Sequence, residues 1–357
     1  MPPPASPRIW RPKRLMVTRA ARGFAHGVAM AERAAALGVE VVELPGDRLA
    51  LGLPDDPRQA YAQAKQTLAV VVAPPSKRRF QPIPPSADWR VDLAQGCPAH
   101  CSYCYLAGSL SGPPITRVYA NLDEIVAAIP CHVGEGTITS RSSARAHEGT
   151  TFEASCYTDP LAIEGITGSL AALIGWFGET NLHASLRFTT KFADVGSLLS
   201  LRHRGRTRMR VSLNPAAYAR FEGGTARVAE RLVAMRRMAD AGYPIGLTIA
   251  PIIAAEGWRK AYSTLIADVA AALHGATHVD LTVELITHRY TDTSKAVLDS
   301  WYPGSALDMT GANRSEKRTK FGTSKQVYDA TTMKLLKGFF YEVVAERLPD
   351  ARILYWT

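Results

Sequence analysis

The chain has 357 residues, 46% of them hydrophobic, and a mean hydropathy near zero; it can bury a sizeable core and is too long for one small domain. Lys and Arg outnumber Asp and Glu by 42 to 32, a net charge of +10 that favours a polyanionic partner. Five cysteines, an odd number without a regular framework, exclude a secreted disulfide scaffold; no apolar run reaches the ~18 residues of a membrane span, and 1–14 lacks the apolar centre of a signal peptide. A soluble, cytoplasmic protein with no membrane partner is expected.

In chain order, 14–17 reads as a short strand and 28–37 as a helix stopped by Gly38. A β-branched strand over 39–44, a helix over 58–65 and an apolar strand over 68–72 complete a small α/β lobe. The stretch 73–87 carries Pro74, Pro75, Pro82, Pro84 and Pro85, so it reads as a linker rather than a helix or central strand. Residues 92–94 should end the strand that delivers a cysteine-rich loop. Asn121 is expected to cap a helix whose Glu124 reaches back to it. The Gly-, Ser- and Arg-rich stretch 131–150 lacks periodicity and reads as an exposed loop. Strands are predicted over 151–155, 185–189, 207–213, 245–249 and 279–286, with helices over 166–177 and 226–241, the latter ended by Gly242 and Pro244. Alternating strands and helices give about six βα units, a partial (β/α)6 barrel whose strand C-termini should ring the active site. The expected domains are 1–88, an α/β lobe with its linker; 89–300, the barrel; and 301–357, a basic hairpin with a terminal helix.

The cysteine loop carries the chemistry. Cys97, Cys101 and Cys104 are spaced C-x3-C-x2-C within eight residues. Thiolates this close converge on a metal or a metal cluster. Three are one short of the usual four, which on a four-iron cluster leaves one iron open to an external ligand. A structural zinc site is the alternative, with Cys131 and His132 or His100 making up the ligand set, and with it a zinc-stabilised nucleic-acid-binding protein without radical chemistry. C-x3-C-x2-C with an aromatic before the last cysteine is, however, similar to the signature of radical S-adenosylmethionine (SAM) enzymes.

Further segments extend the likeness. G-C-P-A-H-C-S-Y-C-Y-L, F-E-A-S-C, R-F-T-T-K-F, V-S-L-N, A-G-Y-P-I-G-L-T-I-A-P-I, E-G-W and E-L-I-T-H-R-Y-T, in that order, resemble the spore photoproduct lyase family over nearly the whole chain. The resemblance implies a radical SAM repair lyase that returns the ultraviolet product 5-thyminyl-5,6-dihydrothymine to two thymines. Its cofactors would be a four-iron, four-sulfur (4Fe-4S) cluster on Cys97, Cys101 and Cys104, and SAM. Its partners would be ultraviolet-damaged double-stranded DNA and a flavodoxin- or ferredoxin-type electron donor. It implies that Cys156 gives a hydrogen atom to the thymine radical and that Tyr103 and Tyr105 relay the resulting thiyl radical. Lys191 would meet the SAM carboxylate, Ser212 its ribose or methionine end, Ala250 its adenine through the backbone, with Thr158 and Tyr105 also at the cofactor. Duplex DNA would be held by a hairpin within 313–328, through Lys320, Phe321, Lys325 and Tyr328, and by the basic pair His288 and Arg289. Tyr157 stands where the family has a small residue, and Lys320-Phe321 where it usually has Arg-Tyr. These departures raise the alternative of a relative that repairs cyclobutane or 6-4 dimers.

Overall fold

The computed structural model describes residues 9–109, 112–139, 141–311, 313–318 and 324–357. They form two compact units, one gathering the described residues of Met1–Pro98, Gly112–Met209 and Ala241–Pro244, the other those of Ala99–Ser111, Arg210–Asp240 and Ile245–Thr357.

The first unit opens with β1 (Arg14–Val17), α1 (Ala25–Ala36), β2 (Glu40–Glu43), α2 (Pro57–Lys65) and β3 (Thr67–Val71). The helices begin and end where local chemistry dictates. Asp56 caps α2 by accepting from Gln59 N at 2.8 Å, with Pro57 in the first turn. Gly38, at φ 74°, takes the chain out of α1. The stretch expected as a linker holds instead a three-residue strand, β4 (Gln81–Ile83), antiparallel to β5 (Ala87–Val91). Pro82 is tolerated there because β4 is an edge strand whose missing amide costs no ladder bond. Strand β5 ends at Val91, one residue before the expected stop, and Ala94–Gln95 pairs antiparallel with β6 (Thr116–Tyr119), a strand missed in the sequence. Since β6 also pairs parallel with β3, a segment beyond the cysteine loop completes the N-terminal sheet, in the order β2, β1, β3, β6, Ala94–Gln95.

Asn121 precedes α3 (Leu122–Val126) without capping it. Its amide is spent on the Ala73 backbone, accepting from N at 2.7 Å, and on Glu124, to which it donates at 2.8 Å. The loop over 131–150 is exposed along much of its length, as expected, but anchored at buried points. Asp88 accepts from Ile138 N, Thr139 N and Thr151 N at 2.7, 3.0 and 3.0 Å, and buried Arg145 donates to Pro85 O and Ser86 O. Polar residues buried with partners show no periodicity, so this anchoring was invisible in the sequence.

Strands β7 (Thr150–Ala154) and β8 (Ala184–Thr190) run parallel to each other, and β7 runs parallel to β5. Between them the expected helix over 166–177 is two helices, α4 (Pro160–Thr167) and α5 (Ser169–Glu179), bent by 96°. Gly168 makes the corner at φ 62°, and Glu164 receives Leu170 N and Ala171 N of the new helix at 2.9 and 3.0 Å. No single described helix is long and apolar enough to cross a membrane.

Strand β9 (Thr207–Leu213) begins in the first unit and ends in the second. The second unit continues with α6 (Val228–Asp240), β10 (Ile245–Ile252), α7 (Trp258–Leu273), β11 (Leu281–Thr287) and α8 (Asp292–Trp301). A reciprocal box between Thr291 and Ser294 starts α8. An antiparallel hairpin follows, β12 (Arg314–Arg318) with β13 (Ser324–Tyr328). The expected terminal helix is α9 (Ala330–Arg347), but the chain goes on to β14 (Arg352–Trp356), parallel to β11. Strands β10 and β11 also pair in parallel, so each unit carries the strand–helix alternation of an α/β protein.

Candidate active site

The cysteine loop is held at both ends. In the first unit, Lys65 Nζ donates to Cys97 O at 2.7 Å. Gly96 adopts φ 84°, and a Cβ there would stand 2.1 Å from Ile115 O, so only glycine fits before Cys97. In the second unit, His100–Cys101 pairs antiparallel with Glu222–Gly223, and Ser102 N donates to Phe221 O at 3.0 Å. Cys104 N reaches Cys101 O at 3.2 Å, closing a turn that presents Cys104. None of the five cysteines is disulfide-bonded; Cys101 is buried, Cys97 and Cys104 half-buried. Of the extra ligands a zinc site would draw on, Cys131 is exposed, the His132 ring lies against Phe80 and Trp89 at 4.6 and 4.9 Å, and His100 stays on the cysteine loop, paired with Gly223. Among the described residues no three His, Cys, Asp or Glu side chains, the loop cysteines included, are grouped to share one metal ion.

The two tyrosines of the loop lie in different surroundings. Tyr103 is buried, and its hydroxyl donates to Glu222 Oε1. Glu222 is itself paired with Arg231 at 2.7 Å and receives Asn214 Nδ2 at 3.0 Å. Burial, then the Cys101 and Glu222 charges, push the Tyr103 phenol well above its ordinary pKa, so it keeps its proton. Tyr105 is 51% exposed, with the Arg289 guanidinium 5.5 Å from its ring centre. Glu222 and Arg231 were missed in the sequence, since nothing local marks a carboxylate as the partner of a residue far away along the chain; Asn214 closes the V-S-L-N stretch.

Cys156 sits just past the end of β7. Ser155 turns the chain there in the left-handed region, at φ 53°, a conformation costing a serine about 1 kcal/mol. The turn is over-determined: Ser155 N donates to Val91 O at 2.8 Å, and Ser155 Oγ accepts from Leu93 N at 2.9 Å. Burial first, then the Asp92 and Glu153 carboxylates, push the Cys156 thiol from 9.0 up to about 12, opposed by Arg90. Asp92 and Arg90, unmarked by the sequence motifs, act on the thiol, and Lys77 and Tyr157 pack against that pair. Asp92 stands 3.1 Å from Arg90 Nε and 3.2 Å from Lys77 Nζ.

The expected SAM contacts lie at strand ends. In the first unit, Thr158 N donates to Ser155 O at 3.0 Å, while its buried Oγ1 has no hydrogen-bond partner, the mark of a group that meets a ligand or solvent. Lys191 follows β8, its backbone N donating to Asp159 Oδ2 at 2.7 Å. In the second unit, Ser212 on β9 and Ala250 on β10 are adjacent, Ser212 Oγ lying 3.5 Å from Ala250 O.

The hairpin is anchored at its base. Arg314 Nη1 donates to His288 O at 2.8 Å, and Arg314 Nη2 meets His288 Nδ1 at 2.8 Å. The Arg314 guanidinium lies 3.8 Å from the Tyr328 ring centre, and Tyr328 accepts from Ala254 N at 2.9 Å. Two expectations change here. Tyr328 is 4% exposed, so its ring fastens the hairpin instead of presenting itself to DNA. His288 is buried, and burial with Arg314 beside it holds its pKa down to about 3; it is a neutral imidazole, not half of a basic pair. Lys325 stands directly opposite Lys317, and burial, Arg289 and Lys317 all lower its pKa. Lys320 and Phe321 lie outside the described residues.

Comparison with known proteins converges on one family. The family model described as spore photoproduct lyase matches residues 10–357. The spore photoproduct lyase of Geobacillus sp. (strain Y412MC61) is 36% identical over 348 residues, 97% of this chain and 98% of the relative. That of Bacillus subtilis (strain 168) is 35% identical over 324 residues, 90% and 91% of the two chains. Among solved structures, a spore photoproduct lyase complexed with dinucleoside spore photoproduct superposes with a TM-score of 0.89 at 35% identity, covering 98% of this chain and 100% of the other. A doubly substituted spore photoproduct lyase with bound AdoMet and dinucleoside spore photoproduct gives the same TM-score, identity and coverage.

Proposed function

The chain belongs to the spore photoproduct lyase family, and we propose that it is a carbon–carbon lyase of the radical SAM class that restores two thymines from 5-thyminyl-5,6-dihydrothymine in DNA. The observation that carries this reading is Cys156: a partly buried thiol, fixed just past a strand end by an over-determined turn and kept protonated by its surroundings. A hydrogen-atom donor must hold its hydrogen, and a thiolate has none to give. Three cysteines within eight residues of one loop suit a 4Fe-4S cluster with one iron open to SAM. When bound, the cluster and SAM supply a 5'-deoxyadenosyl radical. Cys97, Cys101 and Cys104 would hold the cluster, and Lys191, Thr158, Ser212, Tyr105 and the Ala250 backbone would hold SAM.

Cys156 then gives its hydrogen to the allylic thymine radical left when the dimer bond has opened. The S–H bond breaks, a C–H bond forms, and the sulfur becomes a thiyl radical; Tyr103 and Tyr105 would pass hydrogen atoms back to it, the last O–H being refilled from 5'-deoxyadenosine. The partner is damaged duplex DNA, gripped by Lys317, Lys325 and Arg289 and wedged by Lys320 and Phe321. Two lysines facing each other across a hairpin repel, and a phosphate between them relieves that repulsion. Reducing power comes from a flavodoxin- or ferredoxin-type protein, which with five cysteines outside disulfides suits the cytoplasm. The partial (β/α)6 barrel over 89–300, flanked by 1–88 and 301–357, belongs to the same proposal, supported by the parallel pairing within each unit.

The test is Cys156→Ala in reconstituted enzyme. It is expected to cleave SAM and open the dimer, yet to yield misquenched adducts in place of two clean thymines. Unchanged product would remove Cys156 from the chemistry.

A further inference from the structure

We propose that Arg90 is a positioning residue for the hydrogen donor: it neutralises Asp92 and so leaves the Cys156 S–H bond free to point at the reacting carbon. This rests on the reading of Cys156 as the donor.

The geometry shows why such a residue is needed. Asp92 is 3% exposed and immediately follows β5. Its Oδ2 accepts from Lys77 Nζ at 3.2 Å. Its Oδ1 stands 3.1 Å from Arg90 Nε, yet neither atom has an aligned hydrogen bond. A buried carboxylate oxygen with lone pairs to spare is a strong acceptor, because bonds to ionised groups are roughly twice as strong as neutral ones. Asp92 is also the charge that acts most on the Cys156 thiol. The guanidinium stands beside that oxygen and offsets it, while Lys77 holds the other. Without it, the S–H would turn to Asp92 and away from substrate.

Arg90 is fixed for this task from its other side. Its Cζ lies 4.5 Å from the centre of the Tyr157 ring, and Lys77 Nζ lies 6.0 Å from the same centre. Tyr157 follows Cys156 in the chain, so the plate that carries both cations moves with the donor. The donor's step is unchanged in its balance: the hydrogen atom passes from Sγ to the thymine carbon radical, and Arg90 and Asp92 keep their protons and charges.

The test uses holoenzyme in a Cys131→Ser background, where Cys156 retains its thiol hydrogen while the loop cysteines hold the cluster. Arg90→Met is expected to keep SAM cleavage and raise the misquenched share of product about fivefold, the effect of one redirected hydrogen bond. Its infrared S–H stretching band, assigned by its loss in Cys156→Ala, is expected to move to lower frequency as the bond to Asp92 forms. Arg90→Lys, which keeps the counter-charge, is expected to stay close to the native protein. The pair Arg90→Met with Asp92→Asn removes both the cation and the acceptor, and is expected to return product and band to native. Clean product from Arg90→Met overturns the proposal, and so does a double variant that misquenches as much as the single one. Clean product from Cys156→Ala would instead sink the donor reading itself.

Discussion

Cys156 and Cys131 differ in ways that a reagent can read. The thiolate is the reactive form, and burial beside Asp92 and Glu153 raises the Cys156 pKa to about 12, while Cys131 is exposed. Mild alkylation of the holoenzyme at pH 8 is therefore expected to label Cys131 and spare Cys156, as read by peptide mass. Labelling of Cys156 at a rate equal to Cys131 would contradict the buried, protonated donor. The sequence could point to Cys156, because F-E-A-S-C is a local pattern. It could not reveal Asp92 and Arg90, which come from before the cysteine loop and act on the thiol only in the folded chain, nor Lys77, which pairs with Asp92. Nor could it show that His288 is neutral: an H-R pair reads as two cations until burial removes one charge.

At the scale of elements, two features carry predictions. The hairpin places Lys317 opposite Lys325, so Lys317→Ala with Lys325→Ala should weaken duplex binding and reduce the slope of log K against log salt by about 2. An unchanged slope would mean that the hairpin does not touch the phosphates. The corner between α4 and α5 depends on Glu164, whose carboxyl burial raises from 4.5 to about 7. The folded chain thus keeps a proton that the unfolded chain releases between those values. Stability should fall as pH rises through that window, and Glu164→Gln should flatten the fall in melting temperature; an equal pH dependence in both would contradict it. The corner also shows why the helix predicted over 166–177 is α5 joined to the end of α4 rather than one helix. Apolar periodicity runs through both helices, but Gly168 at φ 62° and the Glu164 carboxyl start a new axis. The strand β6 and the terminal strand β14 were missed for a related reason: short strands paired to distant segments leave little local signature.

At the scale of the whole molecule, strand–helix alternation and the cysteine spacing were legible, because periodicity and motif are local. The assignment of segments to units was not. The N-terminal sheet takes in β6 from beyond the cysteine loop, and the two halves of that loop are held by different partners, Lys65 on one side and Glu222–Gly223 on the other. The family match spans residues 10–357, both units included, and Tyr157, next to Cys156 in the chain, makes lesion identity the property to measure. The most direct measurement is product analysis after anaerobically reconstituted, reduced enzyme and SAM are incubated with duplex oligonucleotides that each carry one defined lesion. The account predicts restored thymines from 5-thyminyl-5,6-dihydrothymine and none from cyclobutane or 6-4 dimers. Restoration of either of those dimers, with the first lesion left intact, would contradict it.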